Sequence, residues 1–450
     1  MRPFILLAIA VAATAILWPA VLALPAQTAA VQPAGEYIVT LSGGVSASRT
    51  ADGGLPAIAG VSVLSADGDP LRAIGRVLVR TASSAATTAL TRSPAVAAIE
   101  TNGVMRLPRP VPFLLSSRFL ANVVWDPWVG SQWQLARVDA PGAWPRTQGA
   151  GQVVAVVDTG IDCTHPDLAA NILPGYDALA QRAGCPSDDS GHGTHVSGAA
   201  AAAMNGVQGA GVAPAARILP VRVLDAAGSG TMASVARGIV WATDHGATVM
   251  NMSLGSPQDS ATVHDAVKRA KAAGITIVVA AGNEGSTRVG YPAMYPEVIT
   301  VGATDQSDHR PAWSNYGATY VNVGAPGVDT LATTVGGGAG YMSGTSMAAP
   351  LVAGVAALLR SVGVAPSAIL TVLQRTADPC IGCQFGGGRV DAGAAVASVP
   401  VTAPTATARP PTTVPPTVAP TAVPGVATPT AGAVYQLPRG CWRIQEVACP

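Results

Sequence analysis

Charge is scarce in this chain of 450 residues. Asp, Glu, Lys and Arg make up only 11%, and 26 basic against 25 acidic residues leave a formal net charge of +1. No long Lys/Arg run interrupts that balance, which excludes the clustered basic surface that nucleic-acid binding needs. Metal-binding patterns are missing too. There is no EF-hand loop, and His192 and His195 are three apart with no Glu between them, so the zinc-peptidase helix pattern is not met. The single C-x-x-C, Cys380 to Cys383, has no second pair to make a zinc site and no thioredoxin-like surroundings. What is abundant is Gly and Ala, a composition suited to a compact core with thin surface charge.

Arg2 precedes an apolar run from Phe4 to about Leu24, followed by small residues through Ala30. Residues 1–26 are therefore predicted to be a secretory signal peptide; Pro19, Pro25 and the Ala-rich exit argue against a retained anchor, and no second run of that length follows. Six cysteines in an export product point to disulfides. Proximity pairs Cys163 with Cys185, Cys380 with Cys383 and Cys441 with Cys449, although sequence alone leaves about fifteen connectivities open.

Between Gly35 and Leu107, the segments Tyr37–Leu41, Arg76–Arg80 and Val96–Glu100 read as strands and Ala82–Leu90 as a short helix. This is a small α+β module, taken as residues 31–107. Pro108, Pro110 and Pro112 then predict an exposed connector over 108–124. In residues 121–398, continuous apolar runs such as Val153–Val157 and Ile275–Ala281 alternate with helical segments such as Met232–His245 and Ser260–Ala273. That pattern predicts an α/β domain, a mostly parallel sheet between two helical layers, with chemistry at the carboxyl ends of its strands. Residues 400–433 form a Thr/Pro-rich linker, and 434–450 a short Cys-containing tail with no assigned function.

Asp158 ends the first of those strands, in Val156-Val-Asp158-Thr-Gly160. By itself such an Asp is a turn former or cap. Asp-Thr-Gly also invites an aspartic-peptidase reading with Asp189-Ser-Gly191 as partner, but the second motif follows no apolar strand and lies only 31 residues on. Ser190-Gly-His192-Gly-Thr-His195-Val-Ser-Gly198 opens an Ala-rich helix with glycines around His192, and His195 reads as structural. Gly344-Thr-Ser346-Met-Ala-Ala-Pro350 sets the Ser346 hydroxyl at the positive end of another apolar helix, where Pro350 should disturb the first turns. A lipase or esterase would need Gly-x-Ser-x-Gly, which is missing, and a catalytically silent binding protein should have lost one of the three groups.

Taken together, Val154–Asp162, Gly191–Gly198, Ala280-Ala-Gly-Asn283-Glu-Gly285 and Gly344–Pro350 strongly resemble the subtilisin-like serine proteases, the subtilases, and their thermitase-like members in particular, over roughly residues 121–398. The chain order Asp, His, Ser is the one known for subtilisin. The resemblance implies a subtilisin-like fold preceded by a ferredoxin-like propeptide, with Asp158, His192 and Ser346 as triad and Asn283 in the oxyanion hole. It implies substrate edges at Gly228, Ser229, Gly230 and at Ser253, Leu254, Gly255, with Gly290 flooring a specificity pocket for large apolar side chains. Asp126, Asp167 and Asn205 match side-chain ligands of a structural calcium ion, and no cofactor is needed for the chemistry. The implied partners are protein or peptide substrates and the chain's own propeptide. The expected product is a secreted, monomeric endopeptidase made as an autoprocessed zymogen cut between about Met105 and Ser131, extracellular or associated with the cell surface.

Overall fold

A computed structural model describes residues 34–44, 54–111 and 126–400. The signal peptide, the linker, the Cys441 and Cys449 pair and Pro112 lie outside the described residues.

The amino-terminal module is a four-stranded antiparallel sheet in the order β2-β3-β1-β4, built from β1 (Gly35–Leu41), β2 (Val61–Val63), β3 (Arg76–Thr81) and β4 (Val96–Thr101), with helix α1 (Ser84–Thr91) between β3 and β4. Ser83 caps α1 by accepting from the Ala86 amide. Tyr37, Val39, Leu41, Leu55, Val77, Val79 and Leu90 form this module's own core. Its fifth strand, β5 (Val104–Arg106), leaves that sheet and pairs elsewhere, as described below.

The second domain is centred on an eight-stranded sheet. Its strands are β6 (Val153–Asp158), β7 (Gly175–Asp177), β8 (Arg182–Gly184), β9 (Arg217–Arg222), β11 (Val249–Met252), β12 (Thr276–Ala280), β13 (Ile299–Thr304) and β14 (Val323–Pro326), while β10 (Ser229–Thr231) stands apart. The order is β14-β13-β12-β11-β6-β9-β7-β8, and every neighbouring pair is parallel except β7 with β8. Strands such as β12 and β13 are buried throughout, as continuous apolar runs covered on both faces must be. One hairpin, β15 (Thr330–Thr334) with β16 (Gly338–Met342), lies outside the sheet.

Helices α2 (His192–Ala201), α3 (Met232–Asp244), α4 (Ala261–Ala272), α5 (Thr345–Ser361), α6 (Ile369–Thr376) and α7 (Ala392–Ala397) belong to the same domain, as do two short helical turns at Trp133–Arg137 and Ala140–Ala143. Helix α5 is buried on every side from Thr345 to Leu359, so its apolar character needs no polar face. Pro350 does not disturb it: the helix runs on through the proline. A proline amide cannot bond the carbonyl four residues back, and that freed Ser346 carbonyl instead accepts from Ser253 Oγ at 3.0 Å. β6 is flanked by β9 on one side and β11 on the other, which makes its carboxyl end the crevice where the chain switches direction across the sheet.

Candidate active site

Asp158 sits at that crevice, fully buried. Its Oδ1 accepts from its neighbour's amide, Thr159 N, and contacts His192 Nδ1, both at 2.8 Å, while Oδ2 is buried with no partner among the described residues. His192 is the first residue of α2, so the helix fixes the imidazole against the strand end. Burial favours its neutral form, but the Asp158 charge and the hydrogen bond to it outweigh burial and raise the imidazole above its ordinary value.

Ser346 enters the same cleft from the first turn of α5, where backbone amides have no intrahelical acceptor. The cleft encloses about 530 Å³ and is lined by His192, Asn283, Ser346, Gly228 and Ser229 from the second domain. Asn283 lies just past β12. Its Oδ1 accepts from Thr345 N and Thr345 Oγ1, at 3.0 and 2.8 Å, which aims its Nδ2 into the cleft. Gly344, at φ 151°, is required here: a Cβ would lie 3.2 Å from Asn283 Nδ2.

Ala227, Tyr341, Met342, Ser343 and Met347 of the second domain also line it, and the rest of the lining comes from the segment that follows the amino-terminal sheet. Residues 108–111 carry no regular element, with Arg109 and Pro110 exposed, and together with Arg106 and Leu107 they line the cleft. β5 pairs antiparallel with β10, setting Met105 against Gly230 and Arg106 against Ser229. Arg106 also exchanges both backbone bonds with Gly255, and Leu107 N donates to Gly228 O. Beyond them, the Arg109 carbonyl accepts from Asn283 Nδ2 at 2.9 Å. The extended segment lies between two edges because only a strand can satisfy both rows of exposed amides and carbonyls at once. The prolines that suggested a free connector instead leave few amides needing partners.

The other sequence-derived residues are distributed as follows. Ser253 is buried, with its hydroxyl committed to Ser346 O and to Asn251 Nδ2. Leu254 belongs to the core beneath the cleft. Gly290 adjoins the Ser256 backbone so closely that a Cβ would sit 2.7 Å from Ser256 O. His195 is fully buried and its Nε2 bridges Thr330 O and Gly340 O, holding the β15–β16 hairpin; burial drives its value down to about 4. Asp189 pairs on the surface with Arg222 at 3.0 Å, far from a carboxylate dyad with Asp158. Cys163–Cys185 and Cys380–Cys383 are disulfides.

Asp126 and Asp167 are each 1% exposed, and Asp167 Oδ1 is buried without a hydrogen-bond partner among the described residues. Asp126 accepts from the amides of Asn205 and Gly206, Asp167 Oδ2 from Gly209, and Asn205 Oδ1 from Val207. Among the described residues no group of three or more His, Cys, Asp or Glu is placed to hold a metal. Two features escaped the sequence reading. Asp188, beside the expected His192 motif, is buried in a web of hydrogen bonds, and the module's last strand occupies the cleft. Neither carries a local signal, since an Asp before a turn and a short apolar run with prolines are both commonplace.

Residues 149–400 match the sequence profile of the subtilase family. The chain is 46% identical over 286 residues to a thermophilic serine proteinase of Bacillus sp. (strain AK1), covering 62% of this chain and 71% of that one. It is 44% identical over 275 residues to thermitase of Thermoactinomyces vulgaris, covering 60% and 98%. Among solved structures, a protease from Pseudoalteromonas arctica PAMC 21717 aligns with a TM-score of 0.56 at 34% identity, over 60% of this chain and 98% of that chain. The buried Asp158–His192 pair, the Ser346 helix and these likenesses together make the chain a thermitase-like member of the subtilase family, a subtilisin-like serine endopeptidase.

Proposed function

We propose that this endopeptidase is made as an exported, self-inhibited precursor that matures by cutting its own leader and then works as a monomer. The observation that carries the proposal is the leader segment Met105–Arg109 lying between the Gly228–Gly230 and Gly255 edges with the Arg109 carbonyl on Asn283. Such a segment would block substrates, and it supports a binding mode in which main-chain bonds to both edges give affinity and alternate side chains give selectivity. The antiparallel order β2-β3-β1-β4 supports reading the leader as a ferredoxin-like module, with its first cut expected within Met105 to Ser131.

Asp158, His192, Ser346 and Asn283 then have definite roles. His192 takes the proton as Ser346 Oγ attacks the carbonyl carbon, and Asp158 stabilises the imidazolium. Asn283 Nδ2 and the Ser346 amide hold the oxyanion of the tetrahedral intermediate. His192 returns the proton to the departing amine, leaving an acyl-enzyme that water hydrolyses by the same proton relay. Gly228, Ser229, Gly230 and the Ser253–Gly255 segment supply the binding edges, and the family pattern assigns Gly290, packed on the Ser256 backbone, to the floor of a pocket for a large apolar side chain before the scissile bond.

Asp126 and Asp167 suit a structural calcium ion. Burial, reinforced by the Asp126 charge, raises the Asp167 carboxyl despite the Gly209 amide, and an oxygen-seeking cation would relieve both the like charges and the partnerless Asp167 Oδ1. Asn205 and nearby carbonyls would complete its shell, with a stabilising role only; an unchanged melting temperature in chelator would count against it.

The decisive experiment is fluorophosphonate labelling followed by peptide mapping and amino-terminal sequencing of the mature enzyme. A tag on Ser346 and a first residue within 106–131 support the proposal. A tag elsewhere, or an unprocessed active chain, refutes it.

A further inference from the structure

We propose that Asp188 is a positioning residue for the peptidase reaction: its carboxylate ties the loop after Asp158 to the first turn of α2 and so holds the His192 imidazole in line between Asp158 and Ser346. This rests on the serine-peptidase reading of the site and adds a residue to it.

Asp188 is only 6% exposed, and no cation lies within ion-pair distance among the described residues. Burying a lone carboxylate is costly unless its lone pairs are filled. Here they are. Oδ1 accepts from Thr159 Oγ1 at 2.8 Å, Ser190 N at 3.1 Å and Gly191 N at 2.8 Å; Oδ2 accepts from Thr194 N at 2.8 Å and Thr194 Oγ1 at 2.7 Å. Gly191 and Thr194 bracket His192, so the carboxylate caps the helix end that His192 starts, where negative charge is favoured. Gly191 itself has no side chain to do this.

The same carboxylate reaches the other arm of the site. Thr159 follows Asp158, and its hydroxyl, while donating to Asp188, accepts from Gly193 N at 2.9 Å. Thr194 Oγ1 in turn accepts from Asp162 N at 3.0 Å. The two arms approach so closely that a Cβ on Gly193 would lie 2.2 Å from Gly160 O. Asp188 therefore fixes the distance between the Asp158 loop and the His192 helix, which determines how the 2.8 Å Asp158–His192 bond forms.

Charge follows from the geometry. Burial would raise the Asp188 carboxyl, but the bonds from Thr194, Thr159 and Gly191 hold it below the ordinary carboxylate range, so it is an anion wherever the enzyme works. The charged groups acting on His192 are Asp158 from β6, Asp188 from the loop before α2, and His195 one turn along α2, which is neutral above about pH 4. Arg106 and Arg109 also line the cleft.

The test compares Asp188→Asn and Thr159→Val with the unmodified chain, each matured from the full-length protein and assayed on a peptide amide across pH. Fluorophosphonate labelling of Ser346 in the unmodified chain comes first, so failure of the serine chemistry itself is read separately. In Asp188→Asn an amide faces the Thr194 N–H, so kcat should fall about 10- to 100-fold with little change in KM, as expected for a misaligned base. Its acid limb should also move to lower pH, because one anion no longer supports the imidazolium. Thr159→Val keeps that anion but cuts the tie, so kcat should fall with the acid limb unmoved. A helix cap without a positioning role would lower only the melting temperature: native kcat in Thr159→Val with an unmoved limb in Asp188→Asn overturns the proposal. If Asp188→Asn does not fold, native kcat in Thr159→Val overturns it alone, and a lowered kcat supports it.

Discussion

The amino-terminal module is held by a buried ion pair, and if that module is the self-inhibiting leader proposed above, removal of the pair has a calculable consequence. Asp69 of the leader meets Arg237 of α3 through two bonds of 2.9 Å, with side chains 0% and 5% exposed. Replacing Asp69 by Ala leaves the guanidinium buried and uncompensated whenever the leader docks, a cost of about 3–5 kcal/mol. At about 1.4 kcal/mol per tenfold, docking should weaken between 10²- and 10³-fold or slightly more. Asp69 also accepts from the Leu71 amide at 3.0 Å, so part of the loss lies within the leader, about 1 kcal/mol. Arg237→Ala avoids that part, and the double variant should bind better than the sum of the single losses, since no charge is then stranded. The assay is inhibition of the mature enzyme by added leader polypeptide, read as Ki. A Ki within about threefold of native for both single variants would refute the reasoning, because a pair this buried cannot be energetically silent when halved.

Three further outcomes are expected. Asn283→Ala should lose about 10²- to 10³-fold in kcat while keeping its fold, a magnitude known from the related subtilisin and carried over here; near-native kcat with an intact near-ultraviolet spectrum would count against an oxyanion role. His195 is held near 4 when folded but titrates near its ordinary 6.5 when unfolded, so between those values the unfolded chain binds the extra proton. Its contribution is present above pH 6.5 and lost as pH falls toward 4, about 3 kcal/mol in all; stability curves of the native chain and of His195→Asn that fall equally over that window would contradict it. Cys163→Ser opens a link across 22 residues and should cost about 3 kcal/mol by chain entropy, measured by denaturant unfolding against the intact disulfide.

The strands Val153–Asp158 and Thr276–Ala280 and the helix from Thr345 were legible in the residues themselves, because continuous burial demands continuous apolar runs, whereas Asp158, His192 and Ser346 were singled out only by the resemblance of their motifs to the subtilases. Local pairing also read correctly where chain proximity decides, as with Cys163–Cys185. Proline 350 was misjudged because its compensation, Ser253 Oγ on the Ser346 carbonyl, comes from a segment 93 residues away. The role of Pro108–Val111 was likewise hidden, since whether a proline-rich strand is exposed or seated in a cleft depends on edges supplied by Gly228 and Gly255. Sequence by itself determined the strands and helices through local pattern, and named the candidate chemical groups through motifs that resemble a known family. Only the tertiary structure decided what lies in the cleft and what orients each group, because hydrogen bonds between distant segments leave no periodic trace along the chain.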